Sequence, residues 1–314
     1  MELPESTLRL RELWRYMSTR AFVAGRAELM AQGFGPSQIQ SWLRSGRLVP
    51  AVHGVYSYGR DIESADAAWR ASLIAAGPGS ALTGVSACEK WRLVRPWHGL
   101  PKSIEVAVES GQARVLRGLS PAMRGTEIKI SRREREPGDV RRVDGIALLK
   151  AGMTLIDFAE NGSDREVRFA FLEACRLGLF REQDVPYCFR RMVGRRGART
   201  LRPMFSLWVP ELNRIKSVFE GLWLLVWIER QYPMPLVNEK VFGKEIDNYW
   251  PDEKFALELD GGAFHSDPVQ RRIDYEKQRY LESRGIAVVR LSYRQIDANP
   301  YGEVDRVAGM LGFI

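Results

Sequence analysis

Hydrophobic positions recur with two periods along this chain, and the changes between them mark its elements. Residues 8–17 carry Leu10, Leu13, Trp14 and Met17 at helical spacing. Residues 26–32 read as a second short helix, ended by Gly33-Phe34-Gly35. Residues 36–45 read as a third, with Pro36 at its start and Gly46 just past its end. The pattern then switches to alternation about Gly54 over 48–58, as in a short hairpin. Runs at 104–108, 127–130 and 146–149 predict strands, and 154–160 and 165–177 predict helices. Residues 210–231 form a long apolar run with Leu212, Ile215, Val218, Phe219, Leu222, Leu225 and Val226 at helical spacing. Beyond it, a strand bearing Asp247 enters a Trp250-Pro251-Asp252 turn and 255–260 returns as its partner. A basic helix over 269–284, ended by Gly285, precedes a buried strand over 286–291.

The implied fold class is multi-domain α/β: an N-terminal winged helix-turn-helix, a mixed α+β middle region, and a C-terminal α/β core with carboxylates at one end. A length of 314 residues suits such a division, drawn here at 1–90, 91–205 and 206–314. Lys and Arg number 47 against 39 Asp and Glu, so the net charge of +8 favours a polyanionic partner, nucleic acid before membrane. No apolar run approaches the ~20 residues of a membrane span, and the first residues lack the basic-then-apolar layout of a secretion signal. Cys88, Cys175 and Cys188 are widely spaced without a CxxC, which fits neither a disulfide framework nor a zinc site and implies a reducing cytoplasm.

Helix, glycine turn, helix, hairpin is the winged helix-turn-helix layout. With Ile39, Trp42 and Leu43 turned to its core, the third helix leaves Ser37, Gln38, Gln40, Ser41 and Arg44 for base edges and phosphates of double-stranded DNA. Arg47, His53 and Arg60 flank the same helix. Of two arginine-rich stretches, 132–142 is diluted by acids and reads as a solvated face. The stretch 190–202 contains no acid, so Arg195, Arg196 and Arg199 are expected on phosphates.

Arg26-Ala27-Glu28-Leu29, Gly35-Pro36-Ser37-Gln38-Ile39, 43–49, Gly54-Val55-Tyr56 and 76–87 together resemble the N-terminal region of AbiEi-type antitoxins. The resemblance covers about the first ninety residues. It implies DNA binding, often at the protein's own promoter, and a toxin or defence-system partner. The Arg-Thr-Leu of that family's later block is Met153-Thr154-Leu155 here.

The chemistry concentrates in 245–265. Glu258 and Asp260 are two residues apart on one strand and so share a face. Asp247 lies on the neighbouring strand, and Glu220 interrupts the apolar helix, where a lone carboxylate is expensive unless paired or metal-bound. Three converging carboxylates with His265 nearby suit a Mg²⁺- or Mn²⁺-assisted phosphodiester hydrolase. The order Glu220, Glu245-Ile246-Asp247, Glu258-Leu259-Asp260-Gly261, His265, Arg272-Ile273-Asp274, 281–285 and 288–292 resembles the PD-(D/E)xK nucleases, within them the relatives of very-short-patch-repair endonucleases. That resemblance implies Asp247 as central metal ligand, Glu258 or Asp260 beside it, Glu220 in support and His265 near the attacking water. Arg271, Arg272 and Arg279 on the basic helix would follow the DNA backbone. The motif's usual Lys is Asp260 here, so His265, Lys277 or Arg279 must supply its charge, or a second metal must. A DNA endonuclease for repair or defence is the leading expectation. A DNA-binding repressor or antitoxin with an inactive nuclease fold is the alternative, and an RNA-processing enzyme a third.

Overall fold

The computed structural model describes residues 4–96, 99–111, 113–121, 123–261 and 268–314. It is mixed α/β, with thirteen α-helices and three sheets among those residues, and it separates into two compact units, 1–162 and 163–314. The boundaries drawn from sequence at 90 and 205 both fall inside these units.

The first unit begins with α1 (Glu5–Ser18), β1 (Val23–Gly25), α2 (Arg26–Ala31), α3 (Pro36–Arg44), β2 (Leu48–Val52) and β3 (Val55–Tyr58). The strands form an antiparallel sheet in the order β1-β3-β2. Leu13, Met17, Leu29, Phe34, Ile39, Trp42 and Leu48 close one core around it, whereas Trp14, at helical spacing with Leu13 and Met17, is exposed. Gly33 turns the chain between α2 and α3 at φ +82°, where a side chain would be strained.

α4 (Ala65–Ala76), β4 (Ala81–Leu82), α5 (Gly84–Trp91), β5 (Ser103–Val108), β6 (Arg114–Arg117), β7 (Glu127–Arg132), β8 (Val140–Val143), β9 (Ile146–Leu149) and α6 (Ala151–Phe158) follow. Their six strands run in the order β6-β7-β5-β4-β9-β8. Residue 90 falls within the span of one continuous core, because α4 packs against both this sheet and the first. Val23, Ala51 and Val52 share one buried core with Trp69, Ile104, Val106, Ile128 and Leu148. Arg70 on α4 fixes the junction, donating to the carbonyl of Val23 and pairing with Glu28 at 3.1 Å.

The second unit holds α7 (Asp164–Arg176), α8 (Asp184–Arg191), α9 (Ala198–Ser206), a 3₁₀ turn (Pro210–Asn213), α10 (Val218–Glu229), β10 (Leu236–Val241), β11 (Lys244–Trp250), β12 (Phe255–Asp260), α11 (Pro268–Glu282), β13 (Ala287–Ser292), α12 (Tyr293–Ala298) and α13 (Pro300–Met310). The sheet order is β10-β11-β12-β13: three antiparallel strands, then β13 parallel to β12. The parallel pair needs a crossover, and α11 supplies it. Trp223, Trp227 and Trp250 are fully buried, and the Trp227 and Trp250 indoles both donate to the carbonyl of Pro233.

The apolar run at 210–231 is not one helix. The 3₁₀ turn ends it early, and Ser217 restarts it as an N-cap, its hydroxyl accepting the N–H of Glu220 at 3.1 Å. Glu220 therefore lies in the first turn of α10, half-buried, rather than inside an apolar helix.

Candidate active site

β12 is a central strand covered on both faces, which explains how a carboxylate on it becomes buried. Glu258 is 8% exposed. Its Oε2 accepts from Lys277 Nζ of α11 at 2.6 Å, while its Oε1 is buried without a hydrogen-bond partner. Asp247 lies just beyond the last paired residues of β11 and β12, Asn248 and Leu257. Its Oδ2 accepts the N–H of Leu259 at 2.7 Å. Burial, then the negative charges of Glu258 and Glu220, push the Asp247 carboxyl up to about 7, opposed by the Leu259 N–H and by Lys277. Burial also raises Glu258, with Lys277 and Arg290 acting against it.

Glu220 borders this pair. Its carboxylate accepts from Ser217 Oγ at 2.9 Å, from the N–H of Lys216 at 2.8 Å and from Asn238 Nδ2 at 2.7 Å. These contacts make it a helix-capping carboxylate that also feels Asp247.

Asp260 takes a different part from the one expected. Arg290 on β13 grips it with two hydrogen bonds, at 2.9 and 2.5 Å, and reaches Asp274 on α11 at 3.4 Å. A carboxylate held by a planar guanidinium fork is already neutralised. The expected three-acid convergence is thus two acids, Asp247 and Glu258, with Lys277. Among the described residues no group of three or more His, Cys, Asp and Glu side chains could hold a metal ion. His265 lies outside the described residues.

Sequence reasoning reached Lys277 only as one of three possible cations, and missed Arg290 and Asn238. Arg290 had left a signal, a charge within the apolar run Val288-Val289-Arg290-Leu291, which implies a buried partner.

The pair fits a divalent cation on two observations. Glu258 Oε1 is an orphaned buried acceptor, and the ionised form of Asp247 lacks enough counter-charge in its surroundings, which is why its pKa is raised. Mg²⁺ is commonly held by one or two carboxylates, with water and substrate phosphate completing its shell.

The residues expected on DNA are distributed over both units. On α3 and just after it, Ser37, Gln40, Ser41, Arg44 and Arg47 are exposed and Gln38 is half-buried. Arg196 and Arg199 are exposed, whereas Arg195 is half-buried and engaged. On α11, Arg271, Arg272 and Arg279 are exposed, Arg272 paired with Glu276 at 2.9 Å. The stretch 132–142 is largely occupied internally: Arg133 pairs with Asp157 and Glu160, Arg135 with Glu109. No helix among the described residues is long and apolar enough to cross a membrane. Comparison with protein-family models and with curated proteins finds no match to this chain.

Proposed function

We propose that the second unit is a metal-dependent DNA endonuclease with Asp247, Glu258 and Lys277 as its working residues. The observation that carries this reading is the meeting of Lys277, from α11, with the buried carboxylate of Glu258 beside Asp247. The lysine brings back from a helix the positive charge that Asp260 cannot supply from the strand.

Asp247 and Glu258 would hold Mg²⁺ or Mn²⁺, which when bound polarises a phosphate and lowers the pKa of water. Lys277, which donates to Glu258 at 2.6 Å and so orients it, would steady negative charge accumulating on the phosphoryl oxygens. The Leu259 N–H fixes the direction of the Asp247 carboxylate. Arg271 and Arg279, exposed on the same helix as Lys277, would track the phosphate backbone. In the first unit α2, α3 and the β2–β3 hairpin would serve as a winged helix-turn-helix that brings double-stranded DNA to the protein, in repair or in defence against foreign DNA.

A DNA-binding repressor or antitoxin with an inactive nuclease core is the second reading. It is favoured by the lack of a three-acid metal group among the described residues. Plasmid nicking by the purified protein with Mg²⁺ or Mn²⁺ separates the two. On the nuclease reading Asp247→Asn abolishes cleavage and Lys277→Met lowers it about 10²–10³-fold, both with DNA affinity within about twofold of the parent. Undiminished nicking by Asp247→Asn would place the chemistry elsewhere. No nicking by the parent in either metal leaves the regulator.

A further inference from the structure

The second unit contains a cavity of about 640 Å³ lined by α7, α9, α10, α12 and α13, none of whose residues belongs to the carboxylate site. Leu222, Leu225 and Val226 of α10 form an apolar floor. Phe169, Tyr293 and Tyr301 add aromatic faces. Three arginines line the same space: Arg165 and Arg168, one turn apart on α7, and Arg199 on α9.

The cavity's charges are unevenly satisfied. Each of its acids is taken by a hydroxyl: Asp164 accepts from Thr200 at 2.7 Å, Glu229 from Tyr301 at 2.8 Å and Asp297 from Tyr293 at 3.3 Å. None of the three arginines pairs with a carboxylate among the described residues. Arg165 instead lies 5.3 Å from the Phe169 ring and donates to the Tyr293 hydroxyl at 3.3 Å. Other arginines of this unit have acidic partners: Arg176 with Glu173, Arg214 with Glu239, Arg230 with Asp305, Arg290 with Asp260. The three guanidinium groups are thus left without a carboxylate partner among the described residues, above apolar and aromatic surface. The three acids keep their charge but are turned to hydroxyl donors.

We propose that the cavity binds a nucleoside phosphate, its base on the apolar and tyrosine-lined floor and its phosphate on Arg165, Arg168 and Arg199. Guanidinium groups bind phosphate as forks, and aromatic rings take any base by stacking. The volume suits one small ligand and is too small for a duplex. Two sources share this chemistry, a free nucleotide and an unstacked or terminal nucleotide of a strand. The proposal does not rest on cleavage by Asp247 and Glu258.

Calorimetric titration of the full chain in divalent-free buffer tests it. 2′-Deoxyadenosine 5′-monophosphate is expected to bind saturably, with deoxyadenosine and inorganic phosphate each at least about tenfold weaker. The double variant Arg168→Gln/Arg199→Gln, changed only at exposed positions, weakens the monophosphate about tenfold or more. Leu222→Trp, which fills the floor, removes binding while the thermal melt remains cooperative. A 5′-phosphorylated octanucleotide that displaces the monophosphate assigns the site to a strand, and one that binds without displacing it assigns a free nucleotide. No saturable binding of the monophosphate, or affinity unchanged in both variants, overturns the proposal.

Discussion

Asp247 shows how position changes an ordinary carboxyl group. Its pKa rises from 3.8 to about 7 because burial and two neighbouring acids outweigh the Leu259 N–H and Lys277. The folded chain thus keeps this proton at a pH where the unfolded chain has lost it. Stability must fall as pH rises between 3.8 and about 7, with the whole penalty present above 7. In divalent-free buffer, Asp247→Asn is expected to stabilise the protein by about 2 kcal/mol at pH 8 and to change little near pH 4. Denaturant midpoints at the two pH values check this, and an equal effect at both would contradict it. Asp247 and Glu258 were legible in the sequence, since acids inside short apolar strands stand out. The engagement of Asp260 was not, because its partner Arg290 lies thirty residues away and meets it only once β13 lies parallel beside β12.

At the scale of elements, local signals located α2, α3 and the β2–β3 hairpin, because glycines, Pro36 and the helical period act within a few residues. They misjudged residues 210–231, where a continuous apolar pattern concealed a 3₁₀ turn and the cap at Ser217. The start of α5 depends on a contact that spacing does not reveal. Glu105 on β5 accepts the N–H of Val85 at 3.0 Å, and Gly84 there has φ +50°. A Cβ on Gly84 would overlap that carboxylate. Gly84→Ala is therefore expected to destabilise the first unit by about 2–4 kcal/mol, from left-handed strain and from the displaced cap. Thermal denaturation reads the loss, and an unshifted melt would refute the capping role. For α3, Arg44→Ala with Arg47→Ala should reduce the slope of log affinity against log salt by about 2, with a roughly uniform weakening across DNA sequences. An unchanged slope removes this helix from the phosphate contacts.

The whole chain divides where its cores divide. Residues 1–162 share buried side chains across both of their sheets, so a fragment ending near residue 90 would expose Val23, Val52 and Trp69 to water. Fragments 1–162 and 163–314 are each expected to melt cooperatively, and fragment 1–90 is not. Circular dichroism melts of the three decide the matter, and a sharp transition from 1–90 alone would restore the boundary read from sequence. Composition could not reveal this, because α4 carries no signal of which sheet it will cover.

The sequence by itself determined the helices and strands with strong periodicity, the positive balance of charge, and the acids Asp247 and Glu258 set in short apolar strands. These depend on neighbours a few residues apart. Tertiary structure alone decided that Lys277 rather than Asp260 joins Asp247 and Glu258, that Arg290 neutralises Asp260, and that three arginines on α7 and α9 share a cavity with α10. Each of those outcomes depends on which distant elements pack together. Burial, which sets the strength of every charge involved, exists only after they have done so.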